Sequence, residues 1–251
     1  MLKEEIKITE YLSSKGINVI GKYFSYDKNI DRRAYENQIK LIVRTQKILL
    51  GCSFEKLERF QSVIGKDIEG YKVQMKKLKR NYDFLLDKHQ KNEAEKLLIS
   101  EGNRMLQKGN ESIKYIYEHG YFTVIERSMN REEICIGRAD AGNLRTNGDK
   151  IEIGIDKGMV YDLVEEDMYR YIKRLQRKKI NINEEELIKL FVHLSHLSFD
   201  SIHYLKGLCT YPRDFLRTWE KYIENKKNKS IDEYFLILKN SLKYENKNFI
   251  L

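Results

Sequence analysis

The sequence predicts a mainly α-helical (α+β) fold with one small β insert, and two observations carry that expectation. Apolar residues recur at spacings of three and four from residue 31 to 120 and again beyond Asp156, the period of packed helix faces. Between these stretches, residues 134–156 break the pattern. Ile134-Cys135-Ile136, Leu144 and Ile151/Ile153/Ile155 form three short apolar beats, with Asn147-Gly148 between the last two as a hairpin turn.

Composition sets the outer bounds. A chain of 251 residues that is 41% hydrophobic can bury a sizeable core, as one large domain or two small ones. The single proline, Pro212, and the lack of Ser/Gly/Pro-rich runs leave no obvious flexible linker. Cys52, Cys135 and Cys209 are odd in number and widely spaced, which fits a reducing cytoplasm without a disulfide framework. The net charge of +9 arises from 47 basic and 38 acidic residues in a chain that is 34% charged. Such a balance reads as a general basic tint, and nucleic-acid binding is not the first expectation. The N-terminal MLKEEIKITEYLSSKG lacks the apolar run of a signal peptide, and no segment approaches a membrane span.

The elements follow in order. A short helix with Ile6, Ile8 and Leu12 partly buried ends at Gly16, and Ile17–Ile20 and Lys22–Tyr26 are two candidate strands. No glycine-rich loop and no strand-borne lysine precede Asp31. From Asp31-Arg32-Arg33 a long helix runs through Ile39, Ile42, Val43, Gln46 and Leu49/Leu50 to a Gly51 cap. Residues 53–120 read as helical almost throughout. Tyr71, Met75, Leu78, Tyr82 and Leu85 make one seam, and Leu98, Gly102, Met105, Gly109 and Ile113/Ile116 a second whose glycines permit close helix approach. Lys72, Lys76, Lys77, Lys79 and Arg80 oppose the first seam and read as its solvated face.

Beyond the β insert, Val164, Met168, Tyr171, Ile172 and Leu175 make a helix face with a basic end at residues 174–179. Asn183 opens the next helix, with Leu187, Leu190, Phe191, Leu194 and Leu197 on its buried side. His193, His196, His203 and Cys209 raise a zinc site, which the helical positions and the lack of paired-Cys or HExxH spacing set aside, so no metal is expected. Tyr211-Pro212 starts a helix with Phe215, Leu216, Trp219, Tyr222 and Ile223 inward. After a polar turn at residues 225–229, Ser230 and Glu233 form a capping box for a last helix through Ile231, Tyr234, Phe235, Leu238 and Leu242, and the final NKNFIL is expected to fray.

One stretch carries a family resemblance. CIGRADAGNL at residues 135–144 resembles the catalytic and metal-binding loop of the aminoglycoside phosphotransferase and choline kinase group, whose usual text is close to CHGDLHPGNL. Cys135, Gly137, Gly142, Asn143 and Leu144 match. Ile136 stands at the His position and Arg138 at that of the catalytic Asp. A guanidinium cannot accept a substrate proton, and loss of a positioned base typically costs about 10²–10⁴ in rate. Asp140, on the family's second His position, is a weak substitute candidate.

Downstream, IDKGMVYDLVEEDMYRYI resembles CotS-type spore coat proteins within the same kinase-like superfamily. The resemblance implies the C-terminal lobe of a kinase-like phosphotransferase, residues 31–251, behind a vestigial N-terminal lobe segment, residues 1–30. It implies that Asn143 and Asp156 fall on magnesium-nucleotide positions, Asp162 on the Asp of an F-D-L element, and Asp167 on a helix-opening Asp that braces the catalytic loop. The function expected is that of a non-catalytic, sporulation-associated pseudokinase. It would bind no cofactor, contact other spore coat proteins, be made in the cytoplasm and be assembled on the coat. Two alternatives stay open: a divergent small-molecule phosphotransferase using magnesium-ATP, and a basic nucleic-acid-binding helical protein.

Overall fold

The computed structural model describes residues 6–26, 31–52, 60–224 and 229–250. Within them the chain runs α1 (Ile8–Ser14), β1 (Ile17–Val19), α2 (Arg32–Leu49), α3 (Lys66–Asp87), α4 (Glu93–Glu118), α5 (Tyr121–Arg131), β2 (Ile134–Cys135), β3 (Leu144–Asn147), β4 (Lys150–Ile153), β5 (Val160–Tyr161), α6 (Glu165–Arg177), α7 (Glu184–Ser195), α8 (Phe199–Thr210), α9 (Arg213–Glu224) and α10 (Ile231–Glu245). The mainly helical class with a small β insert is what the periodicity predicts. The chain divides into two units, Met1–Gly65 with Gly120–Leu205, and Lys66–His119 with Lys206–Leu251. The expected lobe boundary after residue 30 lies against residues 27–30, outside the described residues.

In the first unit α1 buries Leu12 and leaves Ile6 exposed, and the turn to β1 uses Gly16 at φ +75°, a left-handed conformation that glycine adopts without steric cost. β1 lies parallel to β4, Ile17 opposite Ile151 and Val19 opposite Ile153, while β3 and β4 form an antiparallel hairpin. The hairpin closes one residue later than the Asn-Gly signal indicates. Asn147 pairs with Lys150, leaving Gly148-Asp149 as the turn, with Gly148 at φ +57°. Residues 22–26 form no strand, contrary to expectation, because their rings pack beneath cations instead of presenting a ladder edge. β2 pairs with β5, a two-residue strand too short for any period to reveal.

Asp31 caps α2 by accepting the Ala34 N–H at 2.7 Å, and Tyr35, Ile39, Ile42, Val43, Gln46 and Leu49 turn inward. On α6 the expected seam is buried, but so are Glu165, Glu166, Asp167 and Lys173, so this helix runs through the interior of its unit. α7 is rotated from the expected face: Leu187, Ile188, Phe191 and Val192 are buried, whereas Leu190, Leu194 and Leu197 are half exposed.

In the second unit α3 and α4 pair along the two predicted seams. Gly102 and Gly109 admit their neighbours closely: a Cβ would stand 2.9 Å from the Trp219 ring at Gly102 and 2.9 Å from Met75 Sδ at Gly109. Trp219 is fully buried on α9 and donates to Asn81 Oδ1 at 2.8 Å, and Tyr71 stacks on Tyr211 at 4.1 Å. Of the polar turn at 225–229, residues 225–228 lie outside the described residues. Ser230 and Glu233 form the capping box of α10. Ser230→Ala is expected to lower stability by about 1 kcal/mol, read as a fall in denaturation midpoint with an unchanged slope. The C-terminal segment is anchored, not frayed: Phe249 is buried and its N–H donates to Thr210 Oγ1 at 3.1 Å.

Candidate functional site

The loop from β2 to β3 is held from below by α6. Asp167 is fully buried and accepts the Ile136 N–H at 2.7 Å through Oδ2 and the Gly137 N–H at 2.8 Å through Oδ1, while Gln46 Nε2 of α2 donates to Oδ2 at 3.0 Å. Burial pushes the Asp167 carboxyl up, against the opposing pull of those donors and of Arg170. Gly137, at φ +82°, faces Gly158: a Cβ there would stand 2.3 Å from the Gly158 carbonyl oxygen. Only glycine fits at that crossing.

Arg138 occupies the mouth of the loop and is tied down from two sides. Its Nε donates to Asp140 Oδ2 at 3.2 Å, and its guanidinium lies 4.3 Å from the Tyr23 ring centroid. Asp140 also accepts the Gly142 N–H at 2.7 Å and pairs with Arg174 at 2.6 Å. Two guanidiniums and a backbone amide thus converge on the Asp140 oxygens.

A strap covers the loop. The Phe24 N–H donates to the Gly142 carbonyl at 2.9 Å, so residues 22–26 cross its face. Each of the three rings in the strap meets a cation: Arg138 on Tyr23, Arg145 on Phe24 at 3.9 Å, and Lys178 on Tyr26 at 4.2 Å. Two glycines make room for it. A Cβ at Gly154 would stand 2.6 Å from the Lys22 carbonyl oxygen and 2.9 Å from Asn143 Oδ1, and one at Gly142 would stand 2.8 Å from the Tyr26 ring. Gly154→Ala is therefore expected to lift the strap, lowering stability by about 1–3 kcal/mol and increasing protease cleavage near residue 22.

Asn143 and Asp156 are the two residues that the sequence resemblance sets on magnesium-nucleotide positions. Asn143 is buried, and its amide is turned inward: Nδ2 donates to the Arg138 carbonyl at 2.9 Å and the Ile155 carbonyl at 3.0 Å, and Oδ1 accepts the Ile155 N–H at 2.7 Å. That amide pins the loop to the strand end. Asp156 is half exposed, and its carboxylate has no hydrogen-bond or ion-pair partner among the described residues. Of the two side chains only Asp156 is without a partner among the described residues, while the Asn143 oxygen already accepts the Ile155 N–H and keeps one lone pair. Asp162, nearly buried, accepts the Leu163 N–H at 3.0 Å and faces Arg170 at 3.5 Å.

Sequence reasoning missed a third layer behind the loop. Arg127 of α5 directs all five guanidinium hydrogens at partners, binding Glu133 and Glu165 each through both oxygens at 2.7–3.1 Å and Ser201 Oγ at 2.9 Å. Glu133 precedes β2 and Glu165 opens α6, so this one side chain joins both elements that frame the loop. Burial pushes the Glu133 carboxyl up despite Arg127. The histidines are elsewhere: His193 is exposed, His196 caps α7 at φ +52°, and Cys209 is buried. Among the described residues no three His, Cys, Asp or Glu side chains are grouped to hold a metal, and no helix is long and apolar enough to cross a membrane.

No family model and no curated protein sequence matches the chain. A solved structure does: an aminoglycoside phosphotransferase from Alicyclobacillus acidocaldarius subsp. acidocaldarius DSM 446 is similar over 94% of this chain and 77% of its own, with a TM-score of 0.71 at 9% identity. The chain therefore shares its fold with that aminoglycoside phosphotransferase. At 9% identity the likeness speaks to the fold alone, and the chemistry has to be read from the side chains at the loop.

Proposed function

We propose that this chain is a non-catalytic member of the kinase-like fold, a CotS-like spore coat or sporulation-associated pseudokinase that acts through protein–protein contacts. The observation that carries the loss of activity is Arg138. It stands where the base would stand and is locked to Asp140 and Tyr23. The inward-turned Asn143 amide and the strap across the loop support the same reading. The coat assignment rests on the resemblance of residues 155–172 to CotS-type proteins, with other coat proteins as partners, and is tested by extracting the coat of purified spores from the source organism and probing for the chain.

The unpaired Asp156 carboxylate favours a second reading, a divergent phosphotransferase that uses magnesium-ATP. The two are separated by phosphate release from magnesium-ATP. The pseudokinase reading expects the same background for wild type and Asp156→Ala, whereas turnover that disappears in Asp156→Ala would establish the enzyme.

A further inference from the structure

On the face of α2 turned away from the catalytic-type loop, Lys40, Arg44 and Lys47 stand in a row beside Val43, Ile48 and Leu194 of α7, around an open groove of about 450 Å³. The three cations are exposed, and none has a hydrogen-bond or ion-pair partner among the described residues. Several exposed cations elsewhere are paired, such as Lys72 with Glu69, Lys79 with Asp83, Lys96 with Glu93 and Arg104 with Glu101, and what marks these three is that they stand in one row beside an apolar groove. Like charges at helix spacings of three and four repel one another, so nothing within the fold rewards the row. Leu194, which the apolar pattern would bury, is half exposed at its edge.

We infer that this groove is a docking site for an acidic amphipathic helix of a partner protein, with carboxylates on the Lys40–Arg44–Lys47 row and aliphatic side chains on the half-exposed Ile48 and Leu194. At 1.5 Å per residue the row spans about 10 Å, which a helix laid alongside matches with Asp or Glu at i, i+4 and i+7. The apolar floor distinguishes this occupant from nucleic acid, whose phosphates would leave Ile48 and Leu194 uncovered. The concavity distinguishes it from a bilayer, which would bridge the rims without reaching the floor. The groove lies apart from Arg138 and Asp156, so the inference stands whether or not the loop is catalytic.

The test uses the full chain and a fluorescein-labelled, end-capped helical peptide of about 18 residues carrying Glu at i, i+4 and i+7 beside a leucine face, followed by anisotropy. The expected result is saturable binding that weakens as salt is raised. Binding should fall about tenfold or more in the triple variant Lys40→Glu, Arg44→Glu, Lys47→Glu, and fall again in Leu194→Asp, with both variants keeping the wild-type circular dichroism and melting curve. A peptide with Lys in place of Glu should not bind. Absence of saturable binding at millimolar peptide, equal binding of the Lys peptide, or binding unchanged in the triple variant would overturn the inference. So would sedimentation showing that the groove mediates self-association abolished by the triple variant, because the occupant would then be a second copy of this chain.

Discussion

Arg127→Ala is expected to be the most damaging single substitution in the first unit, lowering stability by about 3–5 kcal/mol. The guanidinium is paired with two carboxylates, Glu133 and Glu165, whose side chains are both fully buried, and Arg131 adds a longer contact to Glu133 at 3.5 Å. Removing it leaves Glu165 without its cation and Glu133 with the more distant Arg131 alone, and five hydrogen bonds vanish together. Arg127→Lys should recover only part of the loss, since an ammonium group offers three donors where five are used. Chemical denaturation measures both variants. A loss below about 1 kcal/mol for Arg127→Ala would mean the cluster behaves like a surface ion pair.

Asp167 comes next. Asp167→Ala strips the acceptors from the Ile136 and Gly137 N–H groups and from Gln46, leaving buried donors unsatisfied at an expected cost of about 3–5 kcal/mol. Asp167→Asn keeps the shape, but its Nδ2 would face an N–H donor, so about 2–3 kcal/mol is expected. The two variants also differ from wild type in pH dependence. The native Asp167 carboxyl is raised from its ordinary 3.8 and that of Glu133 from 4.5. A group raised in this way contributes stability that is fully present below the unfolded value and is lost as pH rises through the native one. Acidification from neutrality toward those unfolded values should therefore strengthen this part of the molecule, and Asp167→Asn should flatten that gain. A wild-type profile that falls monotonically from pH 7, unchanged by Asp167→Asn, would contradict the assignment.

Much of the helical architecture is legible in the sequence because local signals agree with tertiary demands. Asp31 and Gly51 bracket α2, Ser230 and Glu233 open α10, and the glycines of α4 mark where Trp219 and Met75 press in. α8 does not stand out as a separate helix in the sequence for a physical reason. α8 buries Ser201 and Thr210 along with Tyr204, Leu205, Leu208 and Cys209, so its polarity carries little face information. The strap at residues 22–26 looks like a strand in its aromatic content, yet its rings are claimed by Arg138, Arg145 and Lys178, which are distant in sequence.

The site divides in the same way. The resemblance singles out Arg138, Asn143 and Asp156, but carries no sign that the Asn143 amide bonds to the Arg138 and Ile155 backbone. Arg127 carries no motif at all. Its partners lie 6, 38 and 74 residues away and meet only when α5, β2, α6 and α8 are in place.

The claim that the kinase-like loop has become a scaffold is tested most directly by the melting temperature of the full chain with and without magnesium-ATP, alongside Asp156→Ala. Ligand at about 100 times its dissociation constant adds about 2.7 kcal/mol, a shift of roughly 5–10 °C for a chain of this size. The scaffold predicts no shift at millimolar magnesium-ATP in either protein. A shift in wild type that requires magnesium and disappears in Asp156→Ala would contradict it, showing that the Asn143 amide and the strap yield to nucleotide.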